Sequence, residues 1–323
     1  MNSLSGISNR YRNINKGTVL SYFVLLLLII INAILQPSFF SSFNLTSLLN
    51  NSLPMILVAA GELFVILTGG IDLSVGAIIS IVNTYIATHM QAGIISETEV
   101  VVIALLIGTL SGFVNGVIIH FARLQPILVT LATMSVYEGI SLLIMASPGG
   151  SVPADFTSFW TGTVLGIPVA FIIIILLIFG WLWFQRTNLL LHIVSFGSDR
   201  SSAFMNGIKP GWITVITYSI SGLFSAFAGI YVSAQTTSGD PNIGNPYTLL
   251  AIASVVIGGA SLSGGKGNMW GVISGAIILN IIGGLIYFSG ISSFYQDLIQ
   301  GLILLFAVSF SSLQVSRNKY SLK

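Results

Sequence analysis

Cysteine is absent from this 323-residue chain, and charged residues are scarce, with 11 Lys and Arg and 9 Asp and Glu. The first absence excludes disulfide bonds, thiolate metal sites and cysteine nucleophiles. The second excludes an ordinary soluble domain, in which roughly 25% of residues are charged. Here the charged fraction is 6% and the hydrophobic fraction is 54%. The composition therefore predicts a protein embedded in a membrane.

The chain also lacks a nucleotide-binding motif. No Gly-x-x-x-x-Gly-Lys-[Ser/Thr] pattern occurs in it. No insertion of about 50 residues, the lower limit for a domain, separates its apolar runs. We therefore expect no catalytic residues, no ATPase site and no cofactor bound by this chain. Its three isolated histidines do not predict a metal site, and its net charge of +2 does not argue for nucleic acid.

Ten apolar runs come close to the roughly 20 residues that a helix needs to cross a bilayer. They are 19–36, 51–68, 73–90, 99–121, 126–147, 163–185, 211–234, 247–261, 269–289 and 294–313. The eighth run is short and ends in glycine, which suits a broken or re-entrant helix. We predict an all-α polytopic membrane protein with about ten transmembrane helices.

Basic residues follow one side of these runs, which indicates the cytoplasmic side because Lys and Arg are enriched there. That side carries Arg10, Arg12, Lys16, Arg123, Arg186, Arg200, Lys209, Lys266, Arg317, Lys319 and Lys323. The opposite loops hold Glu97, Glu99, Asp155 and Asp240. We expect a multi-pass inner-membrane protein with a transmembrane domain at 18–313 and cytoplasmic tails at 1–17 and 314–323.

The longest cytoplasmic segment, 186–210, contains a candidate short helix at 197–208. Ser198 or Asp199 can cap its start, and Asn206-Gly207 can end it in a left-handed turn. Phe204 and Met205 give it an apolar face. Two interpretations remain open: a connector lying among lipid headgroups, or a plug that binds a groove on a cytoplasmic partner.

A second informative stretch is Gly69-Gly70-Ile71-Asp72-Leu73-Ser74-Val75-Gly76, between the second and third runs. The glycines permit a tight turn, and Asp72 can cap the helix that follows. An acid at this position could instead hold a polar substrate or pair with a cytoplasmic arginine. We favour capping.

A similar sequence motif recurs 189 positions later as Gly258-Gly259-Ala260-Ser261-Leu262-Ser263-Gly264-Gly265. Five of the eight positions agree. Both copies fall on the predicted cytoplasmic side, which would make the relation between them parallel. Internal repeats are common in transporters, but this one does not decide the symmetry.

These two glycine motifs resemble the hallmarks of ribose-type ATP-binding cassette (ABC) permeases, the membrane subunits of monosaccharide importers. The resemblance covers roughly residues 45–312 and includes the loop Ser238-Gly239-Asp240-Pro241-Asn242-Ile243-Gly244. It implies about ten spans, a second permease subunit, cytoplasmic ATPase subunits that bind ATP and Mg, and an extracytoplasmic sugar-binding protein. It also implies membrane lipid as the surroundings.

The resemblance further implies that the 197–208 segment is the helix that couples the permease to its ATPase. The family's pattern there is Gly-x-Asn-Glu-x-Ala-Ala, followed after a few residues by Gly-Ile. Gly207-Ile208 match it, whereas Asp199, Arg200, Ser201 and Ser202 replace the common Asn-Glu-Ala-Ala. The predicted coupling residues are Gly197, Ser198, Asp199, Arg200, Ser201, Ser202, Ala203, Phe204, Met205, Asn206 and Gly207.

Polar side chains within the runs are candidates for a translocation path. They are Glu62, Asn83, Asn115, Glu138 and Asn280, with Asp297 early in the tenth run. A carboxylate in the bilayer is costly, so each acid should face the bundle or be protonated. The competing interpretation is hydrogen bonding between helices, at about 0.6 kcal/mol for each bond.

Other functions remain open at this point. An ion-coupled secondary transporter would use buried carboxylates, for which Glu62 and Glu138 are the best candidates. An ABC permease could carry another small polar solute, such as a nucleoside or an amino acid. A scaffold subunit of a membrane complex is the third alternative.

Overall fold

The computed structural model describes residues 16–92 and 95–288, and beyond them only positions 295, 298, 299, 301, 302 and 305. The described chain is mostly helical, as the composition predicts. Its helices are α1 Lys16–Leu35, α2 Ser42–Leu67, α3 Val75–Ala92, α4 Glu97–Ala122, α5 Pro126–Ile144, α6 Ala154–Thr161, α7 Val169–Phe184, α8 Asn188–Ser198, α9 Arg200–Met205, α10 Pro210–Thr236, α11 Asn245–Ile257 and α12 Met269–Phe288.

Within the described residues, six helices are long and apolar enough to cross a membrane: α1, α2, α4, α5, α10 and α12. Helices α7 and α8 together form a seventh candidate span, bent by 79° at the break between them. Helices α3 and α11 are apolar but shorter. The fold is therefore that of a polytopic membrane protein. The tenth predicted run, 294–313, and with it Asp297, lies almost wholly outside the described residues.

Several predicted boundaries are wrong, and α2, predicted from residue 51, begins at Ser42. The sixth run was expected to be helical from residue 163, but Thr163–Val164 (β1) and Ile167–Pro168 (β2) form an antiparallel hairpin, with Thr163 opposite Pro168. Its turn has positive φ angles at Leu165 and Gly166, so α7 begins only at Val169.

The cytoplasmic segment also differs from the prediction, because it holds two helices. Helix α8 ends at Ser198, so Gly197 and Ser198 close α8 and do not open the short helix α9. Burial explains the extra helix: Leu190, Ile193 and Val194 form an apolar face of α8 that packs into the core.

Helix α10 lies at the centre of the bundle, against α2, α3 and α4. Its contact with α4 is made backbone to backbone. A Cβ atom on Gly112 would collide with the carbonyl of Tyr218, and one on Gly222 with the carbonyl of Gly108. Small residues permit such close approach between membrane helices. Glycine is therefore required along this contact.

Two long helices are each followed by a turn into the protein and then by a shorter helix. After α2 the chain folds back, so that the Asp72 amide donates to Glu62 Oε1 at 3.1 Å. After α10 it descends along α3, where the Gly244 amide donates to Ser80 Oγ at 3.0 Å. The starts of α3 and α11 meet inside the bundle, since a Cβ on Gly76 would collide with Gly244.

Candidate functional site

The two glycine motifs meet at one end of the bundle, called here the glycine end and defined by Gly69, Gly70, Gly264 and Gly265. The Gly265 amide donates to the carbonyl of Leu67 at 2.9 Å. Gly69 and Gly264 have φ angles of 76° and 85°, a region that favours glycine. In the second motif, Gly258 and Gly259 follow α11, and Ser263 lies beside Gly69.

Helix α8 lies against both motifs. A Cβ atom on Gly197 would collide with the carbonyl of Leu67 and lie 2.8 Å from the amide nitrogen of Gly265. Ser198 packs closely against Gly265, since a Cβ atom on Gly265 would collide with the Ser198 side chain. These two residues therefore join the second motif to the first motif through the last turn of α8.

Helix α9 follows at once and is built as a capped single turn. Asp199 Oδ2 accepts from the Ser202 hydroxyl at 2.7 Å, and its Oδ1 accepts from the amides of Ser201 and Ser202 at 2.9 and 3.1 Å. These hydrogen bonds, the one from the Ser202 hydroxyl most of all, lower the pKa of Asp199. The turn ends at Asn206 and Gly207, where Gly207 has a φ of 80°.

Helix α9 exposes two large apolar side chains beside the polar side chains of its first turn. Ala203 is buried, whereas Phe204 and Met205 are 68% and 77% exposed. Arg200 lies 5.2 Å from the centre of the Phe196 ring. A short helix that shows two large apolar side chains, and is attached through α8 to both glycine motifs, can bind a partner and transmit force to them.

Asp72 orders the turn before α3 from a buried position. Its Oδ1 accepts from the Ser74 amide at 3.0 Å and the Ser74 hydroxyl at 2.7 Å, and its Oδ2 accepts from the Ser221 hydroxyl at 2.9 Å. Burial raises the pKa of Asp72, although these hydrogen bonds oppose the shift. In the described part of the chain its side-chain partners are Ser74, the residue before α3, and Ser221 of α10, so its hydrogen bonds order the turn that leads into α3.

Three of the predicted path residues contribute instead to internal hydrogen bonding. Asn115 Nδ2 donates to Ser74 Oγ at 2.8 Å, and Glu62 holds the Asp72 amide. Within the described ranges, the buried atoms Glu62 Oε2 and Asn115 Oδ1 have no hydrogen-bond partner. Asn83 donates to Ser233 Oγ at 2.9 Å and accepts from the Asp240 amide at 2.7 Å, which fixes the loop before α11.

The other two predicted residues lie elsewhere. Glu138 is partly exposed on α5. Asn280, on α12, donates to Ser52 Oγ at 2.9 Å and lines a cavity of about 700 Å³. The structure therefore brings only one of the five to this cavity.

This cavity lies at the opposite end of the bundle, between the end of α1, the starts of α2 and α11, the end of α10 and the second half of α12. Carboxamides are frequent in its wall: Asn32, Gln36, Asn44, Asn51, Gln235 and Asn280. Apolar surface from Tyr247 and Leu250 lies between them. Amides both donate and accept hydrogen bonds, so the cavity suits a neutral polar solute.

Sequence reasoning named only Asn280 among these amides, because the others stand near the ends of the predicted runs or, like Asn44 and Gln235, just outside them. A signal was present. Asn32 is four residues before Gln36, which directly follows α1, and Asn44 and Asn51 are seven apart on α2. Both spacings place the pair on one helix face.

A bundle of apolar helices with a polar cavity at one end and an exposed capped turn at the other defines a membrane transport component. Residues 44–308 match the family described as "Branched-chain amino acid transport system / permease component". The chain belongs to this family.

Named relatives are similar over most of the chain. The ribose import permease protein RbsC of Haemophilus influenzae is 36% identical over 294 residues, which are 89% of this chain and 91% of that protein. The D-allose transport system permease protein AlsC of Escherichia coli is 33% identical over 91% of each chain. The galactose/methyl galactoside import permease protein MglC of E. coli is 33% identical over 92% of this chain and 95% of its own. No solved structure matches the chain significantly.

Proposed function

We propose that this chain is the membrane-spanning permease subunit of an ABC importer that carries a monosaccharide, a ribose-like pentose or a hexose, across the bacterial inner membrane. The observation that carries the proposal is the similarity, over about nine-tenths of the chain, to permeases named for ribose, allose and galactose. ATP hydrolysis belongs to a partner subunit, which binds ATP and Mg.

The proposed topology has ten spans with both termini in the cytoplasm. Six long helices, the bent α7–α8 pair and the shorter α3 and α11 supply nine of them. The tenth is the apolar run at 294–313 predicted from sequence, which lies almost wholly outside the described residues. The glycine end then faces the cytoplasm, and the carboxamide cavity faces outward. The distribution of Lys and Arg supports this orientation.

The proposed partners follow from the two ends. An ATPase subunit binds α9 through Phe204 and Met205, and an extracytoplasmic sugar-binding protein releases solute toward the carboxamide cavity. A second permease subunit, identical or related, completes the membrane unit. The cavity amides offer the alternating donors and acceptors that sugar hydroxyls need, and the apolar surface beside them suits the C–H faces of the ring.

Reconstitution of the complete importer in proteoliposomes tests the proposal. We expect uptake of one of ribose, allose or galactose to require ATP on the side of the ATPase subunit and to survive collapse of the proton and sodium gradients. Uptake that needs an ion gradient and not ATP would favour a secondary transporter using Glu62, and would contradict the proposal.

Labelling tests the orientation, since the chain has no native thiol. An impermeant thiol reagent applied to intact spheroplasts should modify Asp155→Cys and leave Ser202→Cys unmodified. Both residues are exposed in the structure, so the two variants are matched in access. The reverse pattern would invert the topology.

A further inference from the structure

Two neighbouring concavities lie at the glycine end and share His120 and Pro210 in their walls. The first has a volume of about 280 Å³ and is lined by Arg123 and Arg200 with the polar groups of Thr68, Thr214 and Tyr218. The second is a groove of about 690 Å³ with a mainly apolar wall. Together they form a basic pocket that continues into an apolar groove.

The basic pocket concentrates positive charge without a neutralising acid. In the described part of the chain neither Arg123 nor Arg200 forms an ion pair, and the contact found for Arg200 is with the Phe196 ring. Both arginines are exposed. Their charge is therefore available to an anionic ligand.

Two helix starts reinforce this charge. Pro126 and Pro210 are the first residues of α5 and α10, and both line the pocket. The residues before them, Gln125 and Lys209, make no side-chain capping hydrogen bond. The positive ends of both helices therefore face the pocket without a side-chain acceptor, an arrangement that favours a phosphate.

The groove runs along α4 and α10 and is lined by Phe113, Val117, Phe121, Trp212 and Val215. Phe121 and Trp212 are 76% and 66% exposed. The stretch from residue 113 to residue 121 covers about 12 Å of helix. A groove of this length and character accommodates part of an acyl chain.

We propose that this composite site binds one anionic phospholipid of the phosphatidylglycerol type. Its phosphate lies between Arg123 and Arg200 at the two helix starts, and an acyl chain lies along Phe121 and Trp212. Basic pockets between transmembrane helices on the cytoplasmic side favour such headgroups. A soluble phosphate compound would satisfy the pocket but leave the groove empty, so the lipid uses both halves of the site.

The groove wall also includes Phe204 and Gly207 of α9. If α9 binds the ATPase, as proposed above, the bound lipid lies beside the coupling contact and supports it. This consequence rests on the proposed function, whereas the binding itself does not.

Quenching of tryptophan fluorescence by brominated lipids tests the binding in the full-length protein in nanodiscs. With phosphatidylcholine as the bulk lipid, brominated phosphatidylglycerol should quench more strongly than brominated phosphatidylcholine at the same fraction. Trp212→Phe should remove this difference, and Trp183→Phe should retain it. Trp183 is a matched control because it is 70% exposed and outside the groove.

Charge variants then separate the pocket from general attraction to the membrane. Binding is measured by native mass spectrometry of the detergent-purified protein titrated with phosphatidylglycerol. The affinity for this lipid should fall about fivefold for Arg123→Gln or Arg200→Gln and about thirtyfold for the double variant. Arg186→Gln, an exposed basic residue at the same end and outside the pocket, should bind like the unmodified protein.

Two outcomes would overturn the proposal. One is equal binding of phosphatidylglycerol by the double variant and by Arg186→Gln. The other is full competition by soluble glycerol 3-phosphate at equal concentration, which would assign the pocket to a soluble phosphate compound. Lipid binding that persists while sugar uptake is absent would contradict the proposed function alone.

Discussion

The two ends of this molecule are built on opposite principles. At the glycine end, backbones touch and the Asp72 cluster is sealed from solvent, so position is fixed by steric fit and by hydrogen bonds within the protein. At the other end, carboxamides and apolar side chains surround an open cavity of about 700 Å³. The comparison agrees with the proposed division, in which one end transmits movement and the other contacts solute. Substitutions in the packed interior of the first end should therefore act on folding, and those in the cavity of the second end on solute affinity.

The largest effect is expected for Gly197→Val. Its side chain would collide with the backbone of Leu67 and of Gly265, which cannot move without displacing both motifs. We expect a cost above about 3 kcal/mol and loss of most folded protein, measured by size-exclusion chromatography of a fluorescent fusion. Gly180→Val is the matched control, because Gly180 has no atom within 4 Å of its added Cβ. Equal yields for both would contradict the steric account.

The next effect concerns the exposed face of α9. Phe204→Asp with Met205→Asp should leave folding intact, because both side chains are exposed, yet abolish solute-stimulated ATP hydrolysis by the complete importer. The assay measures ATP hydrolysis and subunit co-purification together. Trp183→Asp, an exposed aromatic at the same end, serves as a control that should retain activity. Normal uptake by the α9 variant would remove α9 as the coupling contact.

Two substitutions of Asp72 distinguish the contribution of its hydrogen bonds from the contribution of its charge. Asp72→Leu leaves the Ser74 and Ser221 donors unsatisfied in a buried site, at a cost of about 3 kcal/mol. Asp72→Asn keeps an acceptor for the Ser74 amide and should cost about 1 kcal/mol or less. Thermal unfolding in detergent gives both values. If Asn proved as damaging as Leu at normal expression, the charge of Asp72 and not its hydrogen bonds would be required.

At the cavity end, Asn51→Ala and Gln235→Ala should leave folded yield unchanged and raise the KM of uptake about fivefold each, the value of one hydrogen bond of about 1 kcal/mol. Gln235 donates to Asn51 at 3.1 Å. The increase in KM of the double variant should therefore be smaller than the product of the increases of the two single variants. Asn188→Ala, at an exposed position outside the cavity, should behave like the unmodified protein. If these variants lowered the folded yield and left KM unchanged, the proposed contrast between the two ends would be wrong.

The smallest effect is a pH dependence of stability. Because the pKa of Asp72 is raised above its ordinary value of 3.8, the folded protein binds this proton more tightly than the unfolded chain. This tighter proton binding stabilises the folded protein fully below pH 3.8, and the stabilisation is lost as pH rises through the raised pKa of Asp72. Tm should therefore fall with rising pH over this window by more in the unmodified protein than in Asp72→Asn. Parallel curves would show that Asp72 contributes nothing to the slope.

Hydropathy predicts most of the helices because burial in lipid depends on length and composition alone. It fails at residues 163–168, where Val164, Leu165 and Ile167 are apolar but exposed in a hairpin. Gly166 was the only local sign of that turn. Helix α8 was missed because its apolar face packs against residues of α2 and α10 that are distant in sequence.

The site was predicted in part. Local sequence predicts that Asp72 accepts hydrogen bonds from the residues just after it, and it also predicts the capped start of α9 and the left-handed turn at Gly207. The contact between Asp72 and Glu62 could not be predicted, because it requires the chain to fold back along α2. The cavity could not be predicted either, since five helices contribute to it and no local pattern encodes their arrangement.

The backbone contact between α4 and α10 also limits how this chain can change over evolutionary time. Gly108, Gly112 and Gly116 recur every fourth residue and face α10 without room for a single methyl group. A larger residue on α4 would need a smaller one opposite, yet Gly222 is already the smallest residue. A second substitution at Gly222 therefore cannot compensate for a larger residue on α4. Drift should concentrate on the lipid-facing sides of the same two helices.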